Sequence, residues 1–567
     1  MFFALLTTLL CSEGRANPIP SGTIIEEAVL IDIPPQGFDA LESVIPSVIP
    51  SPLPIPDFSQ ESGTCFGSSV YWYQIQLLGG SAGIDVQNIF LTPDSGHMDF
   101  EMDLAIQLND PSDRFQLNYS LLCVPYYCNG YVDPFPTNVV GEFTIDFVDL
   151  DGDGVKEADV SFSENLTIDI GLTGDHIHIE DCALSGLESV FQFFGGSVYD
   201  LVLNAIDINS LIAGILPDLE LAIEDALNQA NIEQDVDLMG STLHIQLAPN
   251  EAIIQEEGLR MIFSAAASVE EPATCVADYD EGASKGTENP MLDLASFPSV
   301  FDLGATISDD FVNQALYSVW SGGAICQTID ENVFALDSSI LNLVTGDAFV
   351  EFFEETVPLI IRTNPKKPPV LDMTTASDVG IDIHDLGLDF YAEIDGRQAR
   401  VIGIDISTVV GLDLNLDNQT GALGLAVDID TEAVEANVYF SEFLSASSNE
   451  SIETEFVGQL DTILGLVDIQ SLLGDLNLTL PGIVLGDAAI GVQELLIKPT
   501  GAAQEDLSIF ANLGTVPYGA GCGADASSGG GCGGGCSSAG STWGRSFLFV
   551  LVVLACIRRR RELPPTS

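Results

Sequence analysis

The chain has 567 residues, 85 acidic side chains against 16 basic ones, a formal charge of −69 at pH 7, and 46% hydrophobic residues. A disordered acidic chain would lack the aliphatics, and a nucleic-acid binder would need a basic face to meet phosphate, so both classes are excluded. The length admits two or more cores, and the scarcity of lysine and arginine leaves a surface made almost wholly of carboxylates.

In chain order, residues 1–16 read as a signal peptide. Phe2 to Leu10 form a short apolar run, and Gly14 and Ala16 place small residues at a cleavage site. Cleavage after Ala16 is the first reading and lipidation at Cys11 the second. The next stretch, 17–269, is mostly strand-like. Tyr71 to Gln76, Met98 to Leu108 and Asn165 to Ile179 alternate apolar and polar residues at period two. Within this stretch Asp149, Asp151 and Asp153, with Gly154, Glu157 and Asp159, alternate oxygen donors around a glycine turn, the pattern of a calcium loop. Val160 stands where an EF-hand places its bidentate glutamate, so a hairpin-borne structural Ca2+ site is expected, with a solvated acidic turn as the alternative. Leu184 to Gln229 then carries Leu187, Phe191, Phe194, Val198, Leu201 and Val202 at helical spacing, broken at Gly195-Gly196 and kinked at Pro217.

A polar segment, 270–298, reads as a linker to a second unit, 299–518. Ser308 to Trp320 opens on a capping serine and two first-turn acids and stops at Gly322, and Phe311, Ala315, Leu316 and Val319 form its apolar stripe. Asp378 to Phe440 reads as a meander with turns at Asp395-Gly396 and Asp417 to Gly421. Glu453 to Leu473 is an amphipathic helix with Phe456, Leu460, Ile463, Leu464 and Val467. The segments from Leu238 and from Leu480 each place strands behind a long helix, so a duplicated unit of sheet plus long helix is expected.

Past the second unit come a Gly/Ser/Cys-rich spacer, 519–541, and a terminal segment, 542–567, with an apolar run from Ser546 to Ile557 and the basic cluster Arg558 to Arg561. Twelve apolar residues fall short of the roughly 20 of an ordinary span. Cys532 and Cys536 before such a run resemble the myxobacterial C-terminal sorting signal (MYXO-CTERM). That resemblance implies export by a Gram-negative, myxobacteria-like bacterium, removal of the tail and retention at the outer membrane or cell surface; a plain transmembrane anchor is the alternative. Six other cysteines, Cys65, Cys123, Cys128, Cys182, Cys275 and Cys326, lie in this exported, disulfide-permissive region, and the local pair Cys123 and Cys128 is the expected bridge.

The order of segments from Gly37 to Val516 resembles the tubular lipid-binding family of bactericidal/permeability-increasing protein (BPI), lipopolysaccharide-binding protein and cholesteryl ester transfer protein. The segments that carry it are Gly37 to Ser59, Asp175 to Phe194, Asp302 to Ile325, Pro368 to Met373 and Leu480 to Pro499. The resemblance implies an α+β fold: two elongated units of strongly twisted antiparallel sheet wrapped on long helices, joined through a central sheet. It also implies apolar tunnels for acyl chains, lined by Phe38, Leu41, Ile45, Leu187, Phe191, Phe194, Val198, Leu201, Phe311, Leu316, Val319, Phe456 and Leu460. A lipid-binding or lipid-transfer protein follows as the expected function, with phospholipid or neutral lipid and a membrane surface as partners and no nucleic acid. The basic tips of the family's cationic members are missing, as is a cysteine in Leu184 to Gln229 to match the family's disulfide. The alternatives are a structural or adhesive surface protein with dry cores and a secreted esterase using Ser81 of Gly79-Gly80-Ser81-Ala82-Gly83. No helix signal follows Ser81, and no catalytic constellation assembles in the sequence. His176 and His178, at period two, lack a third ligand.

Overall fold

In a computed structural model the described residues are mainly 21–42, 53–62, 73–121, 124–181, 216–276, 279, 297–373, 379–466 and 478–516, with shorter omissions inside these runs. They form three antiparallel sheets. The expected wrapping of sheets on long helices is overturned, because the protein is mostly β. The helices Phe38–Glu42, Asp309–Ser321, Ser338–Thr345 and Asn449–Leu466 are all short, and the described residues between 216 and 228 are helical as well. The physical reason lies in the period-two pattern. Over residues 127–148 buried and more exposed residues alternate along the long strand Val124–Val148, and residues 401–406 of Arg397–Asp417 are buried throughout. Apolar strand faces of this kind are buried most readily by another sheet. Most of Leu184 to Gln229 lies outside the described residues; its described end carries the buried Leu216 and Leu219.

The first-half sheet runs in the order Leu53–Pro54, Ser81–Asp94, His97–Leu108, Val124–Val148, Phe115–Leu121, Tyr73–Leu78, Phe58–Ser62. Glu157–Phe162, Thr167–Ile170 and Ile177–Glu180 pair along the rest of the 25-residue strand. The second-half sheet is built on the meander Gly380–Ile394, Arg397–Asp417 and Ala422–Ile429. Its first turn places Asp395 and Gly396 both at positive φ, 51° and 73°, as a two-residue hairpin turn demands.

The third sheet draws strands from both halves. Its order is Ile232–Leu238, Ser241–Gln255, Gly258–Val269, Ile25–Ile33, then Leu303–Ser308, Asp506–Val516, Ala488–Thr500, Ile483–Leu485. Ile25–Ile33 is the seam, paired with Gly258–Val269 on one edge and Leu303–Ser308 on the other. The first half of the chain meets the second at this strand. Its one charged inward residue, Asp32, has no exposed surface and receives two hydrogen bonds from Arg260, Nε at 2.7 Å and Nη2 at 3.2 Å. Burial raises the Asp32 carboxyl above its ordinary range, and the guanidinium partly offsets this.

Helix Asp309–Ser321 locks the sheets to one another. Ser308 caps it by accepting from Asp310 N, and Gly322 closes it. Buried Gln314 accepts from Ala267 N and donates to Thr23 O, so it serves strand-edge groups that no strand reaches. Asn313 Oδ1 accepts from Leu371 N, and Trp320 Nε1 donates to Pro365 O at 3.0 Å, both in the second half. A disulfide, Cys275–Cys326, ties the start of the polar segment after the first half to the loop after this helix.

Candidate functional site

The feature with the greatest extent is the inner face of the first-half sheet. On His97–Leu108 the residues Met98, Phe100, Met102, Leu104, Ile106 and Leu108 are buried in an unbroken row, while His97, Asp99, Glu101 and Asp103 face outward. Cross-strand register extends the row into a surface. Leu91, Phe100 and Gly141 stand abreast, as do Ile89, Met102 and Val139, and Ile84, Ile106 and Phe135. Gly141 leaves room that Leu166 and the Phe100 ring fill, since a Cβ there would come within 2.5 Å of Leu166 and 2.8 Å of the ring. Phe100 also packs edge-on against Phe162 at 5.3 Å between centroids. Eleven strand residues at about 3.4 Å each make this face roughly 35 Å long. Glu42 of the short helix Phe38–Glu42 accepts from Leu91 N at 2.7 Å, fixing that helix against the rim.

The expected tunnel residues divide. Phe38, Phe311 and Leu316 are buried in one core cluster shared by the first-half sheet and the central sheet, with Val319 packed against it half-buried. Phe456 is buried in a second cluster beneath the second-half sheet. The helix from Glu453 was expected to reach Leu473; its described part is Asn449–Leu466. Leu460 lies in it, its side chain outside the described residues, as are the side chain of Leu41 and the whole of Ile45, Leu187, Phe191, Phe194, Val198 and Leu201.

Of the calcium-loop residues, Asp149 Oδ1 accepts from Gly152 N at 2.7 Å, and Gly152 has a φ of 82°. Glu157 and Asp159 stand on one face of the returning strand, opposite Val148 and Asp146. Asp151 and Asp153 lie outside the described residues.

Cys128 is buried and disulfide-bonded, while Cys65, Cys123 and Cys182 lie outside the described residues. The expected local bridge between Cys123 and Cys128 therefore lies partly outside the described residues. Cys532 and Cys536 are also outside the described residues, and among the described residues no helix is long and apolar enough to cross a membrane.

Ser81 opens a strand and pairs with Asn109, whose side chain accepts from Ser81 N, so the strand-to-helix elbow of a hydrolase nucleophile is not formed there. His176 sits in a 3-10 turn and accepts at Nδ1 from Thr173 N; His178 sits in the next strand, 2.7 Å from Asp133 and stacked on Tyr131. The cluster that sequence reading missed is Asp94, His97 and Asp99, at the turn of the Ser81–Asp94/His97–Leu108 hairpin. Its signal was available as Asp-Ser-Gly-His followed by an acid at period two.

No family model matches the chain, and no curated protein matches it. Among solved structures, lipopolysaccharide binding protein aligns with a TM-score of 0.43 and 12% identity over 86% of this chain and 99% of that one. P47 of Clostridium botulinum E1 aligns at 0.25 and 9% identity, over 86% of this chain and 100% of that one. P47 from Clostridium botulinum A2 aligns at 0.23 and 10%, over 86% and 97%. At such scores none of these decides fold or function.

Proposed function

We propose that the chain is a lipid-binding or lipid-transfer protein of the bacterial envelope, exported and retained at the outer membrane or cell surface. The observation that supports this reading is the continuous apolar inner face of the first-half sheet, in a chain whose outer face is carboxylate. An acyl chain crossing one leaflet spans half of the roughly 30 Å hydrocarbon core, so the face is long enough for a whole chain. Each methylene taken from water onto it contributes about 0.8 kcal/mol. The overall negative charge opposes direct capture of anionic headgroups, which favours phospholipid of zwitterionic type or neutral lipid. Calcium at the loop beginning with Asp149 belongs to the same reading, as an ion that stiffens one hairpin. A structural surface protein would use the same face as dry core.

Mass spectrometry of an organic extract of the natively purified full chain separates the two. Acyl lipid in a fixed ratio to protein is expected, and Met102→Gln on the inner face should lower occupancy while Glu101→Gln on the outer face should not. Lipid-free protein of normal thermal stability would overturn the proposal.

A further inference from the structure

The hairpin Ser81–Asp94/His97–Leu108 ends in the pair Asp94 and His97, with Asp99 two residues further along the same face. His97 Nε2 lies 3.4 Å from Asp99 Oδ1 and 3.9 Å from Asp94 Oδ2, and one donor atom from each of the three residues falls within 4.8 Å of the others. Three features of this group bear on metal binding. It contains an imidazole, the donor that transition metals prefer to water and that calcium does not seek. Among the described residues neither carboxylate is paired with a lysine or arginine; each has only His97 as a charge partner. The turn is also held in place, because Gly96 N donates to Ile254 O of the central sheet at 3.0 Å.

We propose that Asp94, His97 and Asp99 form a three-ligand site for a divalent transition metal of the Zn2+ class, with solvent in the remaining position. Zinc bonds of about 2.0–2.2 Å in a tetrahedron set donors roughly 3.3 Å apart. Modest rotation of the two half-exposed carboxylates therefore closes the triangle. Glu142 stands directly across from Asp99 on the neighbouring strand and adds a further carboxylate beside the site. The metal would neutralise two carboxylates that the chain leaves without a cation and would fix the hairpin tip beside the central sheet. It binds the folded hairpin and so raises stability by mass action.

The test is titration of the chelator-treated full chain with Zn2+ in a millimolar background of Mg2+ and Ca2+, which saturates diffuse carboxylate binding. One Zn2+ per chain at this site is expected, with a Zn2+-dependent rise in melting temperature. His97→Ala should weaken that binding on the order of 100-fold, since even loss of a ligand's support costs 10–100-fold. His384→Ala removes another surface imidazole, 2.9 Å from Asp382, and should change nothing. If His97→Ala fails to fold, Asp99→Asn carries the same expectation. Unchanged Zn2+ affinity in the variant, equal loss in His384→Ala, or no Zn2+ binding above the Mg2+ and Ca2+ background would overturn the proposal.

Discussion

The outer faces of the first-half and second-half sheets handle carboxylates differently. On the first, Glu101 and Asp103 stand at alternate positions and are served by amides: Asn138 donates to both, and Asn88 to Asp103, while Asp99 faces His97. On the second, Asp389 receives Arg400 and Tyr439, Asp405 receives Lys366, and Asp385 is paired with Lys367. Five of the ten lysines and arginines between residues 18 and 519, namely Arg362, Lys366, Lys367, Arg397 and Arg400, fall on strands of this sheet or on the link between its strands Leu359–Pro365 and Val370–Asp372. Asp389 and Asp405 are buried, whereas the first-sheet acids have water. Asp389 and Asp405, which have lost their solvent, are served by cations, whereas amides serve Glu101 and Asp103 in water. Aromatic rings extend each cation's work: the Lys366 ammonium lies 3.8 Å from the Tyr439 ring centroid, and Arg362 lies 4.7 Å over Tyr391.

The strongest way to break this contrast is to remove a buried cation. Arg260→Met strands Asp32, which has no exposed surface, and should cost about 3–5 kcal/mol in urea unfolding. A loss no larger than that of a surface substitution would show that Asp32 takes up a proton or water instead. Lys366→Met should cost less, about 1–3 kcal/mol, because the ammonium is one-third exposed and solvent replaces part of what it gave. Asp405 Oδ1 already lacks a hydrogen-bond partner, so the variant leaves this carboxylate with a second unserved oxygen.

A third test addresses the unpaired acids together. Screening by sodium chloride should raise the melting temperature, since the folded chain holds its like charges closer. Millimolar calcium at fixed ionic strength should raise it further. Asp151→Asn with Asp153→Asn should remove only the calcium-specific part; if the full increment survives, calcium acts diffusely.

The smallest effect concerns pH, and Asp103 and Asp405 should respond with opposite sign. Hydrogen bonds from Asn138 and then Asn88 hold the Asp103 carboxyl below its ordinary value. Its contribution is complete above the unfolded value of 3.8 and is lost as pH falls through the lower folded value. Burial raises Asp405 despite Lys366, so the folded chain keeps that proton longer than the unfolded one does. Its contribution is present below 3.8 and is lost as pH rises through the raised folded value. Unfolding free energy measured against pH should lose part of its acid-side fall in Asp103→Asn and steepen there in Asp405→Asn. Parallel curves for the two variants would remove the distinction.

Much of the second half was legible because its signals are local. Ser308, the acids after it and Gly322 mark a helix within a few residues, and Asp395-Gly396 marks a hairpin whose partners are adjacent. The alternation on Met98 to Leu108 was equally plain. Ile25–Ile33 was not read as a strand. Its partners lie about 230 and 275 residues away, and Asp32 in an apolar run makes sense only once Arg260 is opposite. The helices were over-weighted for a related reason: apolar residues at mixed spacing fit both periods, and what decides is the sheet across the core. Asp94 escaped notice because its two partners lie beyond a turn, and only the hairpin's closure brings all three onto one face.

The seam strand Ile25–Ile33 also dictates the order in which the chain can fold. Synthesised before its partners, it finds one neighbour only after Gly258–Val269 has appeared and the other only after Leu303–Ser308. The outer strands that cover Leu303–Ser308, Asp506–Val516 and Ala488–Thr500, come last. Contacts between such distant residues close slowly, because loop entropy is lost before pairing compensates. The central sheet therefore completes only when nearly the whole chain is available to pair. Until then its apolar strands have unpaired edges, and a carboxylate-rich chain that repels its own copies is well suited to survive that interval.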